Sequence, residues 1–298
     1  MRPTLVPFAV ACLAIAIFCV MDALMKELGL ALGAYSALLW RTAAGIVITG
    51  SLWATTRPAW PEPRLLRLHV GRGVLVAAMA SLWFHAITLV PLAEAIAISF
   101  FAPLLATWLA SLFLGEAVTA GAVAGSGLGL AGVGVIVAGR LGAPHGAEVE
   151  GRIVEGIVAV IVSAVLYAIN LVMQRHQAQQ ARPQEIAFFQ TGTVLLCLLP
   201  FAPWAAVAPA GGQWPLLVAA ALFASVSLLL LSWAYARAEA QVLVTTEYTG
   251  FVWLALLGWW FFGEELTLTT LAGATLIVVG CLLALRQKPA AAPAAVML

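Results

Sequence analysis

Ten runs of about 20 mostly apolar residues follow one another along the chain, at 4–28, 34–55, 70–90, 94–114, 118–139, 153–175, 184–204, 214–236, 241–262 and 267–286. A helix rises 1.5 Å per residue, so a run of this length crosses the hydrocarbon core of a bilayer. Inside lipid the backbone must satisfy its own polar groups, and a helix does so within one segment. The sequence therefore predicts an all-α integral membrane protein with ten transmembrane helices. Composition agrees, since 63% of the residues are hydrophobic and only 9% are charged. A soluble domain carries about 25% charged residues and could not cover its surface with so few. Turn residues fall between the runs: Pro58, Pro61 and Pro63, then Pro144 and Gly146, Pro183, and Pro209, Gly211 and Gly212. The first run is too long for a cleaved signal peptide and lacks a small-residue cleavage site before Asp22.

Lys and Arg set the expected orientation. Arg2, Arg57, Arg64, Arg67, Arg72, Arg175, Arg182, Arg237, Arg286 and Lys288 fall on one side of the ten spans. Lys26, Arg41, Arg140 and Arg152 fall on the other. Ten against four predicts that both termini are cytoplasmic. The net charge of +1 gives no reason to expect a nucleic-acid partner. The four cysteines, Cys12, Cys19, Cys197 and Cys281, lie inside apolar runs at no metal or redox spacing and read as small core residues.

The chain also repeats itself. Ala93-Glu94-Ala95 opens the fourth run and Ala238-Glu239-Ala240 precedes the ninth. Leu114-Gly115-Glu116 ends the fourth, and Phe262-Gly263-Glu264 ends the ninth. Asp22 stands three residues before Met25, as Asn170 stands three before Met173. The paired positions lie 145 to 148 residues apart, which divides the chain into two five-helix copies. Five is odd, so the second copy enters the membrane from the opposite side. Inverted repeats of this kind mark many secondary transporters, with the solute at the midplane between the halves.

The run Ala93-Glu94-Ala95, Ser99-Phe100-Phe101-Ala102-Pro103-Leu104 and Leu114-Gly115-Glu116 resembles the first EamA repeat of the drug/metabolite transporter superfamily. Glu247-Tyr248-Thr249, Leu256-Leu257-Gly258-Trp259 and Phe261-Phe262-Gly263-Glu264 resemble the second, although Tyr248 stands where a proline is common. The likeness covers nearly the whole chain. It implies a first EamA repeat at 1–140, an inter-repeat loop at 141–152, a second repeat at 153–286 and a cytoplasmic tail at 287–298. It further implies a basket around a central cavity lined by spans one, three, four, six, eight and nine, with alternating access between the halves. The implied activity is export of amino acids or other small metabolites across a bacterial inner membrane, as in YddG-type amino-acid exporters.

Polar residues within the spans are the candidate site, because a charge at mid-span costs about 2.5–3.5 kcal/mol on insertion scales. Asp22 and Lys26 share a helix face four residues apart. They read either as a self-neutralising pair or, for Asp22, as a proton or amine site, and Arg41 lies near the same level. His85 shares a face with Ser81 and Thr88. It is either a hydrogen-bonded helix contact or a group that changes charge near neutral pH. Ser163, Tyr167, Asn170 and Gln174 form one polar stripe down the sixth span, as helix glue or as a cavity wall. Ser99, Pro103 and Thr107 share a face of the fourth span, where Pro103 frees a carbonyl. Glu247 lies among Thr245, Thr246 and Tyr248, and Trp108, Trp233, Tyr235 and Trp253 offer aromatic surface.

The expected solute-binding set is thus His85, Ser99, Pro103, Trp108, Tyr167, Asn170, Trp233 and Glu247, with Asp22, His85 and Glu247 as coupling candidates. Glu94 and Glu239 read as helix-start carboxylates. The glycines of the fifth span, Gly121, Gly125 and Gly129 among them, fit close packing against the tenth span or a homodimer face. Monomer and homodimer both stay open. No clustered catalytic set, selectivity element or Walker motif is present in the sequence, and no cofactor or metal is expected. A cavity with few charges predicts neutral amino acids as the solute.

Overall fold

A computed structural model describes residues 5–56, 60–102, 105, 108–109, 120–142, 147–238, 243 and 245–286. The described residues are helical with short connections and contain no strand. In chain order the helices are α1 (Leu5–Leu32), α2 (Ala34–Thr55), α3 (Pro63–Leu89), α4 (Leu92–Ser99) and α5 (Ala120–Leu141). They continue as α6 (Ala147–Ala178), α7 (Pro183–Leu198), α8 (Trp214–Tyr235), α9 (Thr249–Phe262) and α10 (Leu268–Arg286). Among the described residues, seven stretches are long and apolar enough to cross a membrane: Leu5–Leu32, Ala34–Thr55, Pro63–Leu89, Val123–Leu141, Glu148–Ala178, Pro183–Ala205 and Gly211–Tyr235. Thr249–Phe262 and Leu268–Gly280 are shorter apolar helices. The fourth expected span is described only in part, and Pro103, Thr107 and Leu114-Gly115-Glu116 lie outside the described residues.

Local chemistry sets the boundaries. Gly33, at φ +82°, makes the one-residue break between α1 and α2 that a side chain would strain. Prolines stand in the first turns of α3, α7 and α8, where their missing N–H has no helical partner to lose. Pro63 therefore starts α3 seven residues before the expected span, and α6 begins at Ala147 rather than 153. The last turn of α9 closes on Gly263, at φ +63°. Its N–H donates to the Trp259 carbonyl, and the Glu264 N–H donates back to the Gly258 carbonyl. That turn aims the Glu264 carboxylate back at the body of the protein.

Helices of the first half pack against helices of the second. The main neighbours are α5 with α10, α1 with α8, α3 with α6, α3 with α7, α2 with α7, and α2 with α8. Exchanging the halves (α1 for α6, α2 for α7 and so on) turns each of these pairs into another on the same list or into itself. The contact map thus has an internal two-fold pattern. Between α5 and α10 the backbones touch: a methyl on Gly132 would stand 2.5 Å from the Gly273 carbonyl oxygen, and one on Gly280 equally near that of Gly125. This is the close pairing expected of spans five and ten. Elsewhere the interior is filled by Met21, Met25 and Leu28 of α1, Leu38, Ile87, Leu92 and Leu217. Many large apolar side chains face outward, including Trp204, Trp260 and Leu268, as a lipid-facing wall requires. Aromatic clusters mark both ends of the bundle, Trp40 against Trp214 at one and Trp53, Phe188, Phe189 and Trp60 at the other.

Candidate functional site

Between the two halves lies a cavity of about 200 Å³. Its wall takes residues from α1, α2, α3, α4, α6, α7, α8 and α9, so α2 and α7 join the six spans expected from sequence. Apolar and aromatic surface comes from Phe18, Trp83, Phe84, Leu228 and Leu254, among others. Four ionisable residues, Asp22, Arg41, Arg72 and Glu247, line this cavity; Asp22 and Glu247 are among the candidates from sequence, and the two arginines are not. The expectation of a nearly uncharged lining is therefore corrected.

The helical stripe of α6 explains much of the wall. Ser163, Tyr167, Asn170 and Gln174 recur on one face at helical spacing, and all four reach the cavity. Ser163 Oγ donates to the Met79 carbonyl at 3.0 Å, which ties α6 to α3. Tyr167 Oη donates to Glu247 Oε1 at 2.9 Å, which ties α6 to the 3₁₀ turn Thr245–Tyr248 before α9. Asn170 Oδ1 accepts from Arg72 Nε at 2.9 Å. Ser99 lines the cavity from α4, its hydroxyl donating to the Ile96 carbonyl.

Arg72 is the hub at one end. It is fully buried, with Nη1 donating to Gln177 Oε1. The Gln177 amide donates to His69 Nδ1, so the His69 Nε2–H is left to donate to Glu185 Oε1 at 2.9 Å. This relay joins α3 of the first half to α6 and α7 of the second. The sequence places Arg72 at the cytoplasmic end of the third span, 70–90, without marking it as a cavity residue. The signal was available, because His69, Arg72, Val76 and Ala80 share a face once the helix is started at Pro63.

A second network lies one turn along α1 from Asp22, toward the other end. The Lys26 ammonium pairs with Glu264 and donates to the Val90 carbonyl at 3.0 Å, while Glu264 Oε2 accepts from the Leu92 N–H at 2.8 Å. Arg140 Nε lies 3.5 Å from Glu94 Oε2 beside it. Glu94 is thus buried and paired as well as standing in the first turn of its helix. The i, i+4 pair of Asp22 and Lys26 does not form. Asp22 instead accepts from Trp83 Nε1 at 3.1 Å, and Lys26 reaches across to the second half.

Among the expected solute-binding residues, Ser99, Tyr167, Asn170 and Glu247 come together on the cavity, with Asp22 beside them. Three do not. His85 has a half-exposed side chain bonded to Glu155 at 2.8 Å, because its face of α3 turns outward along α6. Trp108 donates to Ser126 on α5 at 2.6 Å, and Trp233 lies under the Arg237 guanidinium at 4.3 Å. Pro103 lies outside the described residues. Among the described residues no group of His, Cys, Asp and Glu is placed to hold a metal ion.

Comparison with known proteins fits this architecture. The sequence profile of the EamA-like transporter family matches twice, over residues 6–138 and 154–286. The chain is 30% identical over 272 residues to the pseudopaline exporter CntI of Pseudomonas aeruginosa (strain UCBPP-PA14), covering 91% of this chain and 93% of that protein. It is 27% identical over 228 residues to a riboflavin transporter of Brucella anthropi, covering 74% and 76% of the two chains. A solved crystal structure superposes with a TM-score of 0.66 at 22% identity, covering 94% of this chain and 97% of its own, a likeness of fold.

Proposed function

Because this chain belongs to the EamA-like transporter family, we propose that it is a secondary carrier that exports a small zwitterionic metabolite, amino acids foremost, by alternating access. One observation carries this reading. A largely apolar cavity carrying four ionisable side chains is built by both halves and lies between two networks, each of which bonds one half to the other. If the halves rock about the cavity, breaking the Lys26 network opens one side and breaking the His69 network opens the other. The two profile matches and the two-fold contact pattern support an inverted pair of five-helix repeats. Ser99, Tyr167, Asn170 and Glu247 are the proposed contacts to the solute, and Asp22 and Glu247 are the ionisable groups placed to couple flux to protons.

The amino-acid class rests on the wall chemistry. Each buried charge of the cavity needs an opposite charge or strong hydrogen bonds to sit in a dry interior. Two guanidinium groups and two carboxylates suit a solute that carries both signs, while Phe18, Trp83 and Phe84 accept an apolar or aromatic side chain. The named relatives give the second reading, a larger metabolite such as those their names state. The Lys and Arg distribution favours both termini in the cytoplasm, and the bacterial transporters among the relatives favour a bacterial inner membrane as the setting.

Counterflow in proteoliposomes, run against the twenty amino acids and riboflavin with and without a pH gradient, tests the activity. Saturable exchange of at least one amino acid is expected, with Glu247→Gln flattening any dependence on the gradient. Exchange of riboflavin alone, or of no solute in the panel, would sink the amino-acid reading. The orientation has its own check. A cysteine placed at Gly211 should react with an impermeant thiol reagent applied outside intact cells, and one at Pro61 should not; labelling of Pro61 from outside inverts the topology.

A further inference from the structure

We propose that Arg41 and Asp22 form the subsite that grips the α-amino-carboxylate group of the solute, a proposal that rests on the carrier reading and names which part of the solute is held. The four charges on the cavity wall are not equally provided for. Arg72 donates to two amide oxygens, and Glu247 accepts a phenol hydrogen bond. Arg41 has much less. Its Nη1 meets only the Met21 thioether, at 3.5 Å, and its guanidinium carbon lies 5.3 Å over the ring of Phe84. Its Nε is buried without a hydrogen-bond partner. A thioether is a weak acceptor, so this guanidinium is held in place but not satisfied.

No carboxylate among the described residues comes within 4.0 Å of Arg41. Asp22 is close enough to act on it electrostatically, yet its Oδ1 is engaged by Trp83 Nε1. The pair is thus a cation and an anion side by side on one cavity, each fixed by a neutral neighbour and neither joined to the other. A guanidinium presents parallel N–H donors that match the two oxygens of a carboxylate. A solute carboxylate supplies the acceptors Arg41 lacks, and the adjacent ammonium supplies Asp22 with the counter-charge it lacks. The two residues stand on α2 and α1, and the Arg41 guanidinium also rests over the ring of Phe84. The rest of the solute then extends along the wall toward Tyr167 and Asn170.

The test is equilibrium binding to the purified full-length protein, read as thermal stabilisation by each of the twenty amino acids. Every binder is then compared with its carboxamide and with its deaminated acid. At least one free amino acid should bind, and its amide should bind about tenfold more weakly or worse. Arg41→Gln should erase the preference for acid over amide, and Arg41→Lys should retain part of it because the charge stays and the fork is lost. Asp22→Asn should erase the preference for the amine while leaving the acid-over-amide preference intact. Should Arg41→Gln not fold, Arg41→Lys decides: an unchanged acid preference overturns the subsite. Binding by no free amino acid overturns it too. Counterflow of some other solute would then leave the carrier reading standing, so the two failures are distinguishable.

Discussion

Arg72→Met is expected to lower transport by about two orders of magnitude while leaving the melting temperature in detergent unchanged or raised. The two effects separate because Arg72 is a buried cation bonded to neutral groups, Asn170 and Gln177. Replacing a buried charge by an apolar residue of similar length removes a desolvation penalty, and such exchanges are often neutral or stabilising. Asn170 and Gln177 each lose one hydrogen bond, at about 1–3 kcal/mol if nothing replaces it. The Asn170 oxygen faces the cavity, where water can replace the guanidinium, and the Gln177 amide keeps its bond to His69 while its oxygen loses a donor. Function has no such recourse. Arg72 is a cavity charge and also the link from α3 to α6, so both solute contact and the closing of that end depend on it. Counterflow in proteoliposomes and a thermal melt of the same preparation measure the two quantities together. Transport near the wild-type rate would reduce Arg72 to a packing residue, and loss of folding would show that the relay holds the bundle together.

That the chain is a multi-span helical membrane protein was legible because lipid imposes a length; among the described residues seven stretches reach that length and Thr249–Phe262 and Leu268–Gly280 are shorter. Ten apolar runs and the signatures around Glu94 and Glu264 were readable at a spacing that no soluble fold demands, and the profile matches fall on the same two stretches. Helix starts were less legible. The segment from Pro63 to Val70 carries Arg64 and Arg67 and reads as a loop on charge alone. Its proline opens a helix instead, so Arg72 stands in the third turn of α3 rather than at a span end and faces the cavity. The polar stripe of α6 was legible because 3.6-residue periodicity survives in sequence.

Direction and partner choice were not legible. His85 lies as far along α3 as a cavity residue would, but which face turns inward depends on where α6 packs, and that contact is about 70 residues away. Spacing at i, i+4 permits an Asp22–Lys26 pair. The partners that win, Trp83 and Glu264, are separated from them by 61 and 238 residues. No local pattern encodes such contacts. The level of Arg41 beside Asp22 was legible from span position, but its place on the cavity wall depends on how α1 and α3 pack against α2.

Lys26→Met is expected to open the end of the cavity that Lys26 now closes, and the protein carries its own reporter. Cys19 is buried, free and on the cavity wall. In a background with Cys12, Cys197 and Cys281 replaced by serine, Cys19 should react slowly with an impermeant thiol reagent applied from the Lys26 side. Removing the ammonium leaves the Glu264 carboxylate against the Leu92 N–H without its counter-charge. Breaking a buried pair by taking one partner costs about 3–5 kcal/mol. A shift of about 5.5 kcal/mol moves a two-state equilibrium from 1:99 to 99:1, so this loss is enough to populate the open state heavily. Labelling of Cys19 should rise by about tenfold or more, and the melting temperature should fall. Glu264→Gln should do less, since the amide oxygen still accepts from Leu92 and the lysine keeps the Val90 carbonyl. The double variant should label more slowly than Lys26→Met alone, because no unpaired carboxylate remains. That non-additivity separates a latch from two independent packing sites. Equal labelling of Cys19 in wild type and Lys26→Met would show that the pair fastens the α9–α10 turn without governing access to the cavity.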